Sequence, residues 1–146
     1  MGHDFSLIYD ENKCDSCGRC DSGTIEDNMY VSYNHCWAWY DHVDKDIGFK
    51  AIYNKPVTEV IPMMENLKMR LQFNNGGIPT HEKNPDGSWK WSDKLIETIN
   101  YGTNEKAKDD GWAKTVFNAY RCADEILQAC YKAVRMGKLN AYFYGD

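Results

Sequence analysis

Three cysteines at a spacing of three, Cys14, Cys17 and Cys20, stand in a stretch from Asp10 to Gly23 made of turn formers and charged residues. Two thiolates three apart on a tight turn can share one tetrahedral zinc ion, so this stretch reads as a metal-binding knuckle. A closed structural site needs four ligands, and no second CxxC pair is present. The completing donor must come from elsewhere, with Cys36, His35 and His3 as candidates. Cys36 or His35, at the start of the next helix, is the most natural, and the expected set is Cys14, Cys17, Cys20 and Cys36 around zinc. The competing reading is a cysteine-rich hairpin tip with free thiols. An iron–sulfur cluster would need a further Cys followed by Pro, which is missing.

Other reactive side chains are weaker candidates. Cys36 and His35 are neighbours, and adjacent residues on a helix point about 100° apart, which argues against a thiol–imidazole catalytic pair between them. His35 and His42 are seven apart, one turn beyond the i, i+4 pair of zinc hydrolases. In Asp44-Lys45-Asp46-Ile47-Gly48 the glycine comes one residue too early for a calcium loop and no Glu stands at the twelfth position. Cys122 and Cys130 lie on a helical pattern and read as small buried apolar residues. No Walker A, GxGxxG, GxSxG or HExxH pattern occurs, so the reading favours a protein that is not an enzyme.

Aromatic residues make up 14% of the chain, more than a core of this size fully buries, so some rings should lie at a pocket or an interface. Self-association of the chain into a homo-oligomer is compatible with the same surplus. Trp37 and Trp112 sit on apolar stripes. Trp89 and Trp91 flank Lys90 in a polar loop and are better placed to touch something outside the fold. Tyr33 and Asn34 stand where a strand gives way to a helix, whose free backbone N–H groups favour an anionic group. The expected ligand-binding set is therefore Tyr33, Asn34, Trp89 and Trp91. A net charge of −5, with no Lys or Arg cluster, excludes a nucleic-acid polymer as the main partner. No apolar run approaches membrane-spanning length and residues 1–10 lack a secretory core, so the expectation is a cytoplasmic protein with reduced cysteines and no membrane association.

These residues must be carried by a fold, and 146 residues suit one domain spanning 1–146. Phe5, Leu7 and Tyr9 alternate in a first strand over His3 to Tyr9, and Met29, Val31 and Tyr33 in a second over Asn28 to Tyr33. Asn34 can cap a short helix to Lys45, with Cys36, Trp37, Tyr40 and Val43 at helical spacing. Val57, Ile61, Met64, Leu67 and Leu71 predict a helix over Val57 to Phe73, with Pro62 bending it or moving its start to Glu59 or Val60. Residues 74–111 form a long irregular region that includes a short helix from Ser92 or Asp93 to Tyr101. Val116, Ala119, Tyr120, Ala123, Leu127, Cys130 and Val134 continue a stripe from Trp112 in the strongest helix, closed by Gly137. Asn140 to Tyr144 is a last strand. The predicted class is α+β: a small antiparallel sheet, its terminal strands paired, packed against two main helices, with a cysteine-rich knuckle.

The segments YVSYN ending at Asn34, TEVIPMMENLKMRL from Thr58 to Leu71 and DGWAKTVFNAYRCADEILQAC from Asp110 to Cys130 follow one order. That order resembles a loosely defined group of small bacteriophage-encoded proteins of unknown function. The resemblance covers most of the chain outside residues 74–111. It implies a phage source, a location in the host cytoplasm and an accessory, anti-defence role. Two binding modes follow from it: sequestering a small nucleotide-derived defence signal, or inhibiting a host defence protein by contact. A small nucleotide-cleaving enzyme is a third reading, for which no acid–base pair can be placed.

Overall fold

The computed structural model describes residues 2–10, 22–74, 85–86 and 116–146. The knuckle cysteines Cys14, Cys17 and Cys20, the tryptophans Trp89, Trp91 and Trp112, and the short helix near Ser92 lie outside the described residues, as does most of the 74–111 region.

Alternation sets the sheet. Strand β1, Gly2–Asp10, buries Phe5 and Leu7 on one face and leaves Asp4, Ser6 and Ile8 on the other. It lies in the middle of a three-stranded antiparallel sheet, between β2, Ser22–Ser32, and β3, Tyr142–Gly145. The terminal strands pair as their sequences predict, with Leu7 opposite Phe143 and Ile8 opposite Tyr142. β2 is longer than its alternation suggested, because the register against β1 shifts twice, between Phe5 and Leu7 and again between Leu7 and Ile8. Each shift inserts one extra residue in β2, and such bulges break the period of two. At the first, Asn28 takes a left-handed backbone (φ 55°), tolerable for Asn. At the second, Ile25 enters the core beside Glu26, which lies 2.8 Å from Lys132 Nζ.

Helix α1, Tyr33–His42, follows β2 directly. Its N-cap is Ser32 rather than Asn34: the Ser32 hydroxyl accepts the Asn34 N–H at 3.2 Å. The buried side is also rotated from the expected stripe. His35, Cys36, Ala38 and Trp39 are buried whereas Tyr40 is exposed, since a sequence apolar nearly all round carries no single helical phase. A 3-10 turn, Gly48–Ile52, then buries Phe49, Ala51 and Ile52.

Helix α2, Val57–Asn74, keeps its start at Val57 with Pro62 inside it. The start is held from outside, with the Val57 N–H donating to the Ala141 carbonyl at 2.8 Å and the Glu59 N–H to Pro56 at 2.8 Å. Val60 joins Val57, Met64, Leu67 and Leu71 in the core, and Ile61 is only partly buried. Helix α3, Val116–Arg135, packs against α2 with Ala119, Ala123, Leu127, Cys130 and Ala133 buried, while Val134 is exposed. Gly137 (φ 74°) closes α3 as predicted: the Lys138 N–H reaches the Ala133 carbonyl and the Gly137 N–H reaches Val134, both at 2.9 Å. Among the described residues no helix is long and apolar enough to cross a membrane.

Contacts reach both edges of the sheet. Beyond β3, the Asn54 N–H donates to the Phe143 carbonyl at 3.0 Å, and Tyr53 and Pro56 form isolated bridges to β3. On β2, Lys132 Nζ donates to the Ile25 carbonyl at 3.1 Å beside the bulge, which blunts that edge against strand addition.

Candidate functional site

Register decides which side chains of the sheet share its outer face. On that face Asp4 stands opposite Tyr30 of β2, and Asp146 follows β3 on its other side, where Asp146 Oδ1 accepts the Asp4 N–H at 3.1 Å. Ser6 stands opposite Tyr144, and its hydroxyl donates to Asp27 Oδ1 at 2.6 Å. Ile8 lies between Thr24 and Tyr142. Three rungs result, reading Tyr30–Asp4–Asp146, Asp27–Ser6–Tyr144 and Thr24–Ile8–Tyr142, with tyrosines and carboxylates mixed across them. Tyr144 is 62% exposed, and Asp4, Thr24, Asp27 and Asp146 are exposed as well. Helices α1 and α3 contact the sheet with the Phe5 and Leu7 face as its buried side, and the three-rung face is the opposite one.

The electrostatics of this face are one-signed. β1, β2 and β3 contain no Lys or Arg. The Asp27 carboxyl lies below the usual carboxylate range because the Ser6 hydroxyl, and then the Asn28 N–H at 2.9 Å, both bond its Oδ1. The Tyr30 phenol is pushed up by loss of solvent, then by the Asp4 carboxylate across the strand pair. Beyond the third rung, where β1 ends and β3 begins, a hollow of about 410 Å³ is lined by Tyr9, Asp10 and residues 137–141. Lys138 Nζ lies 4.3 Å from the centre of the Tyr9 ring there.

The expected ligand residues are only partly brought together. Tyr33 opens α1 with its ring exposed and edge-on to His3 (centroids 5.4 Å apart), and His3 stacks on Phe49 at 4.8 Å. Asn34 is exposed and its N–H is already taken by Ser32, so one of the amides meant for an anion is spent on the cap. The partners expected for them, Trp89 and Trp91, lie outside the described residues, as do three of the four expected zinc ligands. The fourth, Cys36, is buried with its thiol donating to the Ser32 carbonyl at 3.4 Å. Among the described residues no group of three or more His, Cys, Asp or Glu is placed to hold a metal ion.

A thiol–imidazole contact does exist, though not between neighbours. Cys122 Sγ of α3 lies 3.2 Å from His35 Nδ1 of α1, and both residues are buried. Burial pushes the thiols up, Cys36 to about 11 and Cys122 and Cys130 to about 12. The neutral thiol therefore prevails near neutral pH, opposite to what a nucleophile requires. Two results follow. In a variant with Ser at positions 14, 17 and 20, a thiol reagent at pH 8 should find almost no fast-reacting sulfhydryl until denaturant is added. Because the unfolded thiols ionise near about 8.5 while the folded ones stay protonated, their contribution to stability is complete below that pH and should decline as pH rises toward about 11, measurable by urea unfolding across the window.

The tyrosine face was missed by sequence reasoning, which counted its rings only within the aromatic share and read Asn140 to Tyr144 only as a strand. The available signal was the lack of any Lys or Arg in the three strands, the last of which carries Tyr142 and Tyr144 at alternate positions. No family model, curated protein or solved structure matches this chain.

Proposed function

We propose that this protein is a non-catalytic binder that engages a protein partner through the outer face of its sheet, in keeping with the inhibitor-by-contact mode that the phage resemblance implies. The observation that carries this reading is the three-rung face itself: Tyr30, Tyr142, Tyr144 and Ile8 interleaved with Asp4, Asp27 and Asp146 on the side opposite the core. Tyrosines supply large, rigid contact area with a polar tip, and polar groups interspersed among them fit a wet, specific interface. The pairing of residues 53–57 along β3, and the bulges and Lys132 contact on β2, favour docking on the face over strand addition.

Sequestering a nucleotide signal draws less support from the described residues. Its phosphates would meet carboxylates on this face, and the hollow beside Tyr9 is lined by the Asp10 carboxylate as well as by Lys138. Catalysis by the Cys122–His35 pair is disfavoured by its burial and by its neutral thiol.

The test compares partner retention by the wild-type chain, by a Tyr142→Ser/Tyr144→Ser variant and by Met69→Ser, which alters an exposed residue of α2. The face variant should weaken retention of a defined protein by about tenfold or more, and Met69→Ser should leave it unchanged. Equal retention by all three would rule the face out.

A further inference from the structure

We propose that the partner seats arginine side chains on this face, each guanidinium lying over a tyrosine ring while it donates to a neighbouring carboxylate. The inference rests on the protein-binding reading above and adds the chemistry of the occupant.

Charge is the first ground. Asp4, Asp27 and Asp146 share one small face, Asp10 lies at its end, and the three strands hold no Lys or Arg to offset them. Among the described residues, the cations seen at the sheet come from α3 and the residues after it: Lys132 bonds Glu26 and the Ile25 carbonyl, and Lys138 lies over Tyr9. With no Lys or Arg in the three strands themselves, this face is electrostatically complementary to a partner's cations.

Arrangement is the second ground. Tyr30 is the direct cross-strand neighbour of Asp4, and Tyr144 is that of Ser6, which itself holds Asp27. Cross-strand neighbours have Cβ atoms about 5 Å apart, close enough for one guanidinium to lie over the Tyr30 ring and donate to the Asp4 carboxylate. The Asp27 carboxylate is oriented by two bonds that both go to Oδ1, leaving Oδ2 for a further donor. Arginine meets these requirements better than lysine, since its planar fork stacks and donates at once while an ammonium is a compact, strongly hydrated point charge.

The experiment titrates the full chain with blocked tetra-arginine, tetralysine and tetraglutamate peptides and with a single-stranded oligothymidylate, following the amide signals of residues 4, 30, 142 and 144 by NMR. Tetra-arginine should shift these signals at low salt and lose affinity as ionic strength rises. Tetralysine should bind several-fold more weakly. Tyr144→Leu should weaken tetra-arginine by about two- to fivefold, and Asp4→Asn should weaken it and flatten its salt dependence, with both variants checked for unchanged thermal unfolding. Tetralysine binding as tightly as tetra-arginine, shifts confined to other surfaces, or a preference for tetraglutamate or the oligothymidylate would each overturn the inference. If a partner is lost with Tyr142→Ser/Tyr144→Ser and yet tetra-arginine leaves the face untouched, the arginine inference falls alone. If that variant keeps the partner, the face reading falls with it.

Discussion

Phe49→Ala is expected to lower stability by about 3 to 5 kcal/mol in denaturant unfolding, a large part of what a domain of this size has. Phe49 is almost fully buried in the 3-10 turn and joins elements that are far apart in sequence. Its ring packs against Phe5 of β1 at 5.1 Å, Trp39 of α1 at 5.0 Å and Tyr53 at 5.6 Å, and His3 stacks on it at 4.8 Å. Truncation removes the transfer free energy of the ring and leaves a cavity whose walls belong to three different elements, which limits how far it can collapse. Phe49→Leu keeps most of the volume and should recover most of the loss. A change below about 1 kcal/mol for Phe49→Ala would mean that this cluster does not tie the sheet to the helices.

The second large effect is expected at the contact of α2 with α3. Lys68 Nζ lies 2.6 Å from Asp124 Oδ1, with side chains only 14% and 11% exposed. The ammonium also lies 5.0 Å from the centre of the Tyr120 ring, and Gln128 donates to the same Asp124 oxygen at 3.4 Å. Asp124→Ala leaves a largely buried ammonium without its counter-charge and should cost about 3 kcal/mol or somewhat more. Removing both charges together, as Lys68→Met/Asp124→Leu, should come out near neutral, because each ion's desolvation cost disappears with it. A double-mutant cycle reads the difference. Additive single and double effects would show that the pair is not coupled.

How much of this could be read from the sequence depends on periodicity. The stripes of α2 and α3 and the closing Gly137 follow the 3.6-residue repeat closely enough to be read directly, and the pairing of the terminal strands follows from their alternation. α1 resisted because Cys36 to Tyr40 is apolar all round, so only tertiary packing selects Trp39 over Tyr40 for the core. The Gly48–Ile52 turn is too short to show any period, although it carries the ring on which the first prediction rests. In β2 the two bulges hide a longer strand from a period-two reading.

The candidate site was less legible than the fold for a related reason. Which tyrosines share a face is a property of strand register, and register is set by pairing between residues more than a hundred positions apart. The same distance in sequence hid the Cys122–His35 contact, whose members are 87 residues apart. The strand-to-helix junction at Tyr33 and Asn34 was legible because such junctions are marked locally, but the same local chemistry let Ser32 take the cap.

The most direct measurement places a photo-crosslinking benzophenone side chain at position 144, on the sheet face, and in a second variant at position 69, on the exposed side of α2, in cells where the partner is present. A single discrete protein adduct is expected from position 144 and none from position 69. An adduct from position 69, with position 144 silent, would contradict it.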